Sequence, residues 1–193
     1  MIIDANFLEN LSDDLKKIVL DASEAIMQVY KKNTFNTEIK SDGSPVTEAD
    51  ENANKIIIQS LNIISPDISI VSEETYEKSA ETPQDPYWLV DPLDGTKEFI
   101  NRSNDFTVNI ALIEKGSPIY GIICAPVTGQ IWSGSSFQKS VPNENIDSTL
   151  RIVMSKSHQT KTDKEFLHFL DDLKISYEII EKGSSLKLCA LSD

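Results

Sequence analysis

The first third of the chain alternates between helical and polar patterns. Apolar residues recur at helical spacing from Phe7 to about Tyr30, which predicts a long amphipathic helix. The polar stretch from Thr37 to Ser44 follows, and its Asp42-Gly43 pair is typical of a hairpin turn. A second helix is predicted after Thr47, because Asp50 lies at the spacing of a capping box and apolar residues follow it at helical spacing.

The middle of the chain has the short apolar runs of a β-sheet. These runs are too short for helices, and turns such as Lys115-Gly116 separate them, which predicts an antiparallel meander in the later part. Pro92 has no N–H to give to a strand ladder and is expected to stop the second strand. The predicted strands are residues 67–71, 87–90, 106–114, 119–125 and 130–134.

The last part of the chain alternates between strands and helices. Two strands are predicted at 150–154 and 175–180, with a helix from Thr162 or Asp163 to about 173 between them and a final helix at 186–191. This alternation indicates an α/β segment with a largely parallel sheet. A polar segment at 140–148 is the candidate boundary. We therefore predict an N-terminal α+β domain over residues 1–140, carrying the metal site, and the start of a C-terminal α/β domain over residues 149–193.

Composition narrows the class of protein. The 193 residues include 31 acids and 18 Lys and Arg, and the net charge of −13 argues against a nucleic-acid-binding surface. An anionic small substrate stays open, because a bound metal reverses the local field. Cys124 and Cys189 fit no zinc spacing and are expected to be buried free thiols, which suits a reducing cytoplasm. We find no signal-peptide pattern and no apolar run of membrane-spanning length.

The stretch from Trp88 to Phe99 carries candidate chemistry. Asp91 lies at the end of an apolar run, and Asp94 follows across a turn that contains Gly95. Two carboxylates on one turn repel each other unless a cation lies between them, and Mg²⁺ prefers such oxygen ligands. The Leu93 carbonyl offers a third oxygen, and the N–H groups after Asp94 offer a site for phosphate. Taken alone, the stretch is equally compatible with a solvated Asp-Gly turn.

Two further acids favour the metal-binding interpretation. Asp50 lies at a predicted helix start, and Glu73 follows a predicted strand. Since no His or Cys accompanies these acids, the ligand set suits Mg²⁺ rather than zinc. Several carboxylates around more than one Mg²⁺ are the arrangement that hydrolyses phosphate esters.

These motifs resemble those of the Mg²⁺-dependent, lithium-sensitive inositol monophosphatase superfamily, and the resemblance runs from the first helix to the last residue. The acidic motifs that carry it are Thr47-Glu48-Ala49-Asp50, Ser72-Glu73-Glu74 and Asp91-Pro92-Leu93-Asp94-Gly95-Thr96. Three other segments are similar to the CysQ branch, the 3'(2'),5'-bisphosphate nucleotidases: Lys97-Glu98-Phe99-Ile100, Ser155-Lys156-Ser157-His158 and Gly183-Ser184-Ser185-Leu186-Lys187-Leu188-Cys189.

The resemblance implies a fold, a reaction and roles for residues. The fold is α+β to α/β, a layered α-β-α-β-α sugar-phosphatase-type fold. The reaction is hydrolysis of adenosine 3',5'-bisphosphate to AMP and phosphate, in sulfur assimilation and nucleotide recycling. Asp50 and Thr96 would orient and deprotonate the attacking water. Two or three Mg²⁺ ions, with Li⁺ as inhibitor, would be held by Glu73, Asp91, the Leu93 carbonyl and Asp94. The substrate would contact Gly95, Thr96, His158, Gly183 and Lys187.

The chain also departs from the family's pattern. Family members continue into a later segment with a Trp-Asp motif whose aspartate completes the second metal site. Trp88 and Trp132 both lie in earlier predicted strands, and neither is followed by Asp. We therefore expect a truncated product or partial gene with an incomplete second domain. The alternatives to the nucleotidase are an inositol monophosphatase-like sugar phosphatase and a catalytically incomplete metal-binding fragment. The resemblance leaves open a homodimer, and a peripheral position at the inner membrane beside the cytoplasmic one.

Overall fold

Two long helices cover one face of the main sheet. The computed structural model describes residues 3–40, 43, 45–76, 83–138, 149–156 and 159–192. Helix α1 (Ala5–Tyr30) starts two residues earlier than predicted, because the Asp4 carboxylate accepts the Phe7 N–H at 2.9 Å and caps the helix. Helix α2 (Glu48–Ile64) starts at the predicted capping box, in which the Thr47 and Asp50 side chains each accept a backbone N–H of the other's turn. Both predicted helices are confirmed.

A short hairpin leads into α2. Strands β1 (Thr37–Ile39) and β2 (Pro45–Thr47) pair antiparallel, with Glu38 opposite Val46. Gly43 has a φ of +85°, as a tight turn requires, although Asp42 and Ser44 lie outside the described residues.

The main sheet has five strands in sequence order. They are β3 (Ser69–Ser72), β4 (Tyr87–Asp94), β5 (Thr107–Glu114), β6 (Ser117–Ala125) and β7 (Gln130–Ser135), and the short helix α3 (Thr96–Ile100) follows β4. Strands β3 and β4 are parallel, and the other pairs form the predicted antiparallel meander. Fully buried side chains such as Trp88, Leu112 and Ile122 fill the core. The Trp88 Nε1–H donates to Ser65 Oγ at 2.8 Å, so the one polar atom of this indole is satisfied.

The prediction that Pro92 ends its strand is wrong. Strand β4 continues to Asp94, and the pairing with β5 shifts register between Asp91, opposite Asn109, and Asp94, opposite Thr107. Three residue steps on β4 therefore face two on β5, which is a β-bulge. Proline is tolerated at a bulge, because no ladder N–H is required of it there. The bulge keeps both aspartates on the sheet, one on each side of the irregularity.

The last described part of the chain forms a small parallel unit. Strands β8 (Leu150–Ser155) and β9 (Tyr177–Lys182) pair parallel around helix α4 (Lys161–Asp172), and the short helix α5 (Leu186–Cys189) follows. The predicted cap at Thr162 or Asp163 is wrong. Helix α4 is capped by Thr160, and Asp163 is the acid whose carboxylate accepts the Thr160 N–H at 2.6 Å.

Three further expectations concern the cysteines, the domain boundary and membrane-spanning helices. Cys124 and Cys189 are buried free thiols, as predicted. The proposed boundary at 140–148 lies outside the described residues, so the division into domains 1–140 and 149–193 stays a prediction. Within the described ranges, none of the helices combines the length and apolarity needed to cross a membrane.

Candidate functional site

The parallel register of β3 and β4 brings two predicted metal ligands together. Ser72 lies opposite Val90, and the Glu73 N–H donates to the Val90 carbonyl at 3.0 Å, so Glu73 follows β3 beside Asp91. Asp91 is half-buried, and its Oδ1 is buried without a hydrogen-bond partner. Burial raises the pKa of Asp91 to about 8, and the charges of Glu73 and Asp94 act in the same direction.

Asn109 adds a second unsatisfied oxygen at this place. It lies opposite Asp91 on β5, and its Oδ1 is also buried without a hydrogen-bond partner. These two buried acceptor oxygens, with the neighbouring acids Glu73 and Asp94 and no donor on Asp91 Oδ1, are chemically suited to a hard cation. The residue types at this site therefore fit the predicted metal.

The carboxylates of Glu73, Asp91 and Asp94 do not form a closed coordination sphere. Among the described residues, no three acidic, His or Cys side chains converge closely enough to hold an ion. The hydrogen bonds explain this, because Lys40 Nζ lies 2.9 Å from both Glu73 Oε1 and Glu74 Oε1. Asp94 Oδ2 is likewise held by the hydroxyl of Ser184 at 2.6 Å. Two of the expected ligands thus have one oxygen each engaged by the protein itself.

Asp50 and Thr96 are in contact across the site. Asp50 is fully buried, and its Oδ2 accepts the Thr47 N–H at 2.8 Å and the Thr47 hydroxyl at 2.6 Å. The Thr96 hydroxyl lies 3.0 Å from Asp50 Oδ1 and 3.2 Å from the Leu93 carbonyl oxygen. Burial raises the pKa of Asp50, and the hydrogen bonds from Thr47 oppose the rise. The capping acid of α2 is therefore also the acid that faces the turn after β4.

Gly95 makes the sharp connection between β4 and α3. Its φ is +93°, and an added Cβ would lie 2.9 Å from the Asp105 carbonyl oxygen. Only glycine meets both conditions without strain. This turn sets Thr96 at the start of α3, directly above Asp50.

The other residues predicted to contact the substrate are Gly183, Lys187 and His158. The Gly183 N–H donates to Asp105 Oδ2 at 3.2 Å, and a Cβ on Gly183 would meet Asp105 Cβ at 2.9 Å. Lys187 Nζ donates to the Ser184 carbonyl at 2.8 Å. His158 lies outside the described residues. The roles of these three residues in substrate binding stay predictions.

Sequence reasoning missed four side chains at the site, namely Lys40, Asn109, Ser184 and Ser185. Lys40 and Asn109 stand in no motif, so nothing local marked them. The two serines lie inside a motif that carried the family resemblance, and that was the available signal. A groove of about 880 Å³ opens beside the acids on the exposed face of the main sheet, and Leu89, Ile123 and Trp132 line part of it.

Comparison with known proteins identifies related sequences. The model of the "Inositol monophosphatase family" matches residues 8–190. The 3'(2'),5'-bisphosphate nucleotidase CysQ of Buchnera aphidicola is 37% identical, over 97% of this chain and 74% of the relative. The CysQ of Salmonella typhimurium is 40% identical, over 92% of this chain and 74% of the relative.

Solved structures show the same fold. The CysQ structure from Bacteroides thetaiotaomicron has a TM-score of 0.68 and 30% identity, covering 92% of this chain and 75% of that one. The SuhB structure from Bartonella henselae has a TM-score of 0.73 at 21% identity, covering 95% of this chain and 74% of that one. The layered fold expected from the sequence is thus confirmed. The chain spans about three quarters of the length of each of these relatives. With a family match over most of its length, the chain belongs to the inositol monophosphatase family.

Proposed function

We propose that this protein is a metal-dependent phosphatase that hydrolyses adenosine 3',5'-bisphosphate to AMP and phosphate. The observation that carries the proposal is Asp91, whose unpartnered buried oxygen lies among other acids. At the turn after β4, the buried carboxylate of Asp50 accepts a hydrogen bond from the Thr96 hydroxyl. Metal-assisted hydrolysis of a phosphate ester uses a cation site together with a group that orients and deprotonates the attacking water. The CysQ relatives at 37–40% identity are named as 3'(2'),5'-bisphosphate nucleotidases, which supports the substrate class. A place in sulfur and nucleotide metabolism is part of the same proposal.

The cations in this proposal are two or three Mg²⁺ ions, inhibited by Li⁺. Glu73, Asp91, the Leu93 carbonyl and Asp94 would hold them. When bound, they supply a water of low pKa and neutralise charge on the leaving oxygen. Lys40 engages Oε1 of Glu73 and Ser184 engages Oδ2 of Asp94, so each of these two carboxylates would face an ion with its other oxygen.

Asp50 and Thr96 act on the attacking water. The Thr96 hydroxyl donates its proton to Asp50. The lone pairs of the Thr96 oxygen therefore stay available to accept a proton of the water. As the water oxygen bonds to phosphorus, its proton passes to Thr96 and the Thr96 proton passes to Asp50. The bond between phosphorus and the ribose 3'-oxygen breaks, and solvent protonates that oxygen. The raised pKa of Asp50 makes this carboxylate a stronger base than an exposed one.

The substrate is held in the same proposal at the turn after β4 and at the start of α5. The N–H groups of Gly95 and Thr96 would hold the phosphate that is cleaved. Gly183, Lys187 and His158 would contact the nucleotide. Lys187 Nζ donates one of its three protons to the Ser184 carbonyl, which leaves two for a phosphate.

The test measures phosphate release from adenosine 3',5'-bisphosphate and, separately, from inositol 1-phosphate. Each substrate is assayed with Mg²⁺ and with Mg²⁺ plus Li⁺. We expect Li⁺-sensitive turnover of the bisphosphate, and a loss of more than about a hundredfold in Asp91→Asn. Glu51→Gln, which removes an exposed acid on α2, should leave turnover unchanged.

Two results would reject the proposal. Preferred turnover of inositol 1-phosphate would assign a sugar phosphatase. No turnover of either substrate by a folded protein that binds Mg²⁺ would assign a catalytically incomplete fragment.

A further inference from the structure

The loop between β9 and α5 binds the Asp94 carboxylate through a single oxygen. Asp94 Oδ2 accepts the Ser184 hydroxyl at 2.6 Å, the Ser185 N–H at 2.7 Å and the Ser185 hydroxyl at 2.7 Å. These donors lie some 90 residues further along the chain, after the parallel unit of β8, α4 and β9. The contact therefore joins the small unit to the main sheet at a predicted metal ligand.

Neighbouring side chains set the direction of these hydrogen bonds. Asn109 Nδ2 donates to Ser185 Oγ at 3.0 Å, so this hydroxyl oxygen already accepts a proton and its own proton points to Asp94. Ser184 Oγ also lies 2.9 Å from Thr107 Oγ1 and 3.1 Å from the Asp94 carbonyl. Thr107 and Asn109, both on β5, thus contact the hydroxyl groups of the two serines.

Three donors on one oxygen have a consequence for the other oxygen. A carboxylate oxygen has two lone pairs, so Oδ2 is saturated and cannot also bind an ion strongly. The same three bonds fix the rotation of the side chain about its Cβ–Cγ bond. Asp94 is left with Oδ1 as its one oxygen for a cation, in one orientation.

A second set of contacts keeps the loop close to the sheet. The Gly183 N–H and Lys156 Nζ lie 3.2 Å and 3.3 Å from Asp105 Oδ2. Gly183 packs so closely on Asp105 and Glu98 that a Cβ would lie 2.9 Å and 3.0 Å from their side-chain carbons. These contacts add to those with Asp94 and favour the docked position of the loop, in which Ser184 and Ser185 reach that carboxylate.

We propose that Ser184 and Ser185 are positioning residues that orient Asp94 for cation binding and so couple metal affinity to docking of the β9–α5 loop. The inference rests on the cation site of the proposed function and deepens it. Coupling between two equilibria is reciprocal, so a bound metal stabilises the docked loop by the amount that the docked loop strengthens metal binding. Partners that orient a metal ligand typically change metal affinity by about 10- to 100-fold.

The test measures Mn²⁺ affinity by calorimetry in the whole chain. We expect the double variant Ser184→Ala/Ser185→Ala to bind Mn²⁺ about tenfold more weakly. Ser185→Thr keeps the hydroxyl and should keep the affinity of the unaltered protein. Ser192→Ala is the matched control, because its hydroxyl bonds to the Cys189 carbonyl, at the far end of α5.

A second readout tests the reciprocal effect. Amide hydrogen exchange in residues 183–189 should slow when Mn²⁺ is added to the unaltered protein, and should respond much less in the double variant. At saturating metal, the kcat of the double variant should approach that of the unaltered protein. A general loss of structure would keep kcat low even at saturating metal. Melting curves without metal establish that each variant is folded.

The outcomes separate this inference from the proposed function. A metal-binding protein that releases no phosphate, yet loses affinity in the double variant, rejects the phosphatase and supports the positioning role. Equal Mn²⁺ affinity in the double variant and the unaltered protein, with turnover of the bisphosphate, overturns the positioning role and leaves the phosphatase in place. Absence of Mn²⁺ binding by the unaltered protein overturns the positioning role together with the cation site.

Discussion

Raising the pH should destabilise the metal-free protein, because the folded state holds Asp91 protonated. Burial, and then the charges of Glu73 and Asp94, raise the pKa of Asp91 from 3.8 to about 8. Between these values the folded state binds more protons than the unfolded state, so the free energy of unfolding falls as pH rises and levels off above the folded pKa. One group shifted this far contributes at most about 1.4 kcal/mol per pH unit, or about 3 kcal/mol between pH 5 and pH 7.5. Because neighbouring acids share the proton, the measured loss should lie below this limit.

Urea unfolding in the presence of a chelator, followed by tryptophan fluorescence, measures this slope. Trp88 is fully buried and reports the transition. The matched variant is Asp91→Asn, which should lose stability more slowly between pH 5 and pH 7.5 and should be the more stable protein at pH 7.5. The other acids and the net charge act on both proteins, so the difference between them isolates Asp91. The same pH slope in both proteins would refute the reasoning.

Other predictions concern the turn after β4. Gly95→Ala should destabilise the protein by about 2 kcal/mol in thermal unfolding, and Gly129→Ala, with a φ of +71° but open space, by about 1 kcal/mol. An equal effect would contradict the close approach at Gly95. Thr96→Val should lower kcat by about a hundredfold with unchanged Mn²⁺ affinity, whereas Thr96→Ser keeps the hydroxyl and most activity. Similar kinetics of the two variants would remove the hydroxyl from the mechanism. Asp94→Asn should nearly abolish turnover through loss of metal binding, and retained turnover would reject the two-metal assignment.

Local patterns predicted the elements whose causes are local. The helical spacing of apolar residues in α1 and the capping box at Thr47 and Asp50 each depend on residues within a few positions of one another. The error at Pro92 has a non-local cause, because a bulge depends on the pairing with β5. The cap of α4 was misplaced by two residues or more, since Thr160, Thr162 and Asp163 are all good capping residues and only the chain geometry distinguishes them.

The sequence predicted the acidic residues of the site, but it did not predict the residues that form hydrogen bonds with them. Asp50, Asp91 and Asp94 stand at the ends of predicted elements, where the amino-acid sequence alone marks them. The contacts of Lys40 with Glu73, and of Ser184 with Asp94, join residues 33 and 90 positions apart. Nothing in the local sequence specifies such contacts, because they follow from how the hairpin and the last loop dock on the sheet.

The central claim is that Glu73, Asp91 and Asp94 form a divalent-cation site in a phosphatase of this family. The most direct test is a titration of the metal-free protein with Mn²⁺, in which electron paramagnetic resonance counts the free ion. The account predicts bound Mn²⁺ in the unaltered protein and in the surface control Glu51→Gln, and its loss in Asp91→Asn. Equal binding by Asp91→Asn and the unaltered protein, or no binding by the unaltered protein, would contradict the account.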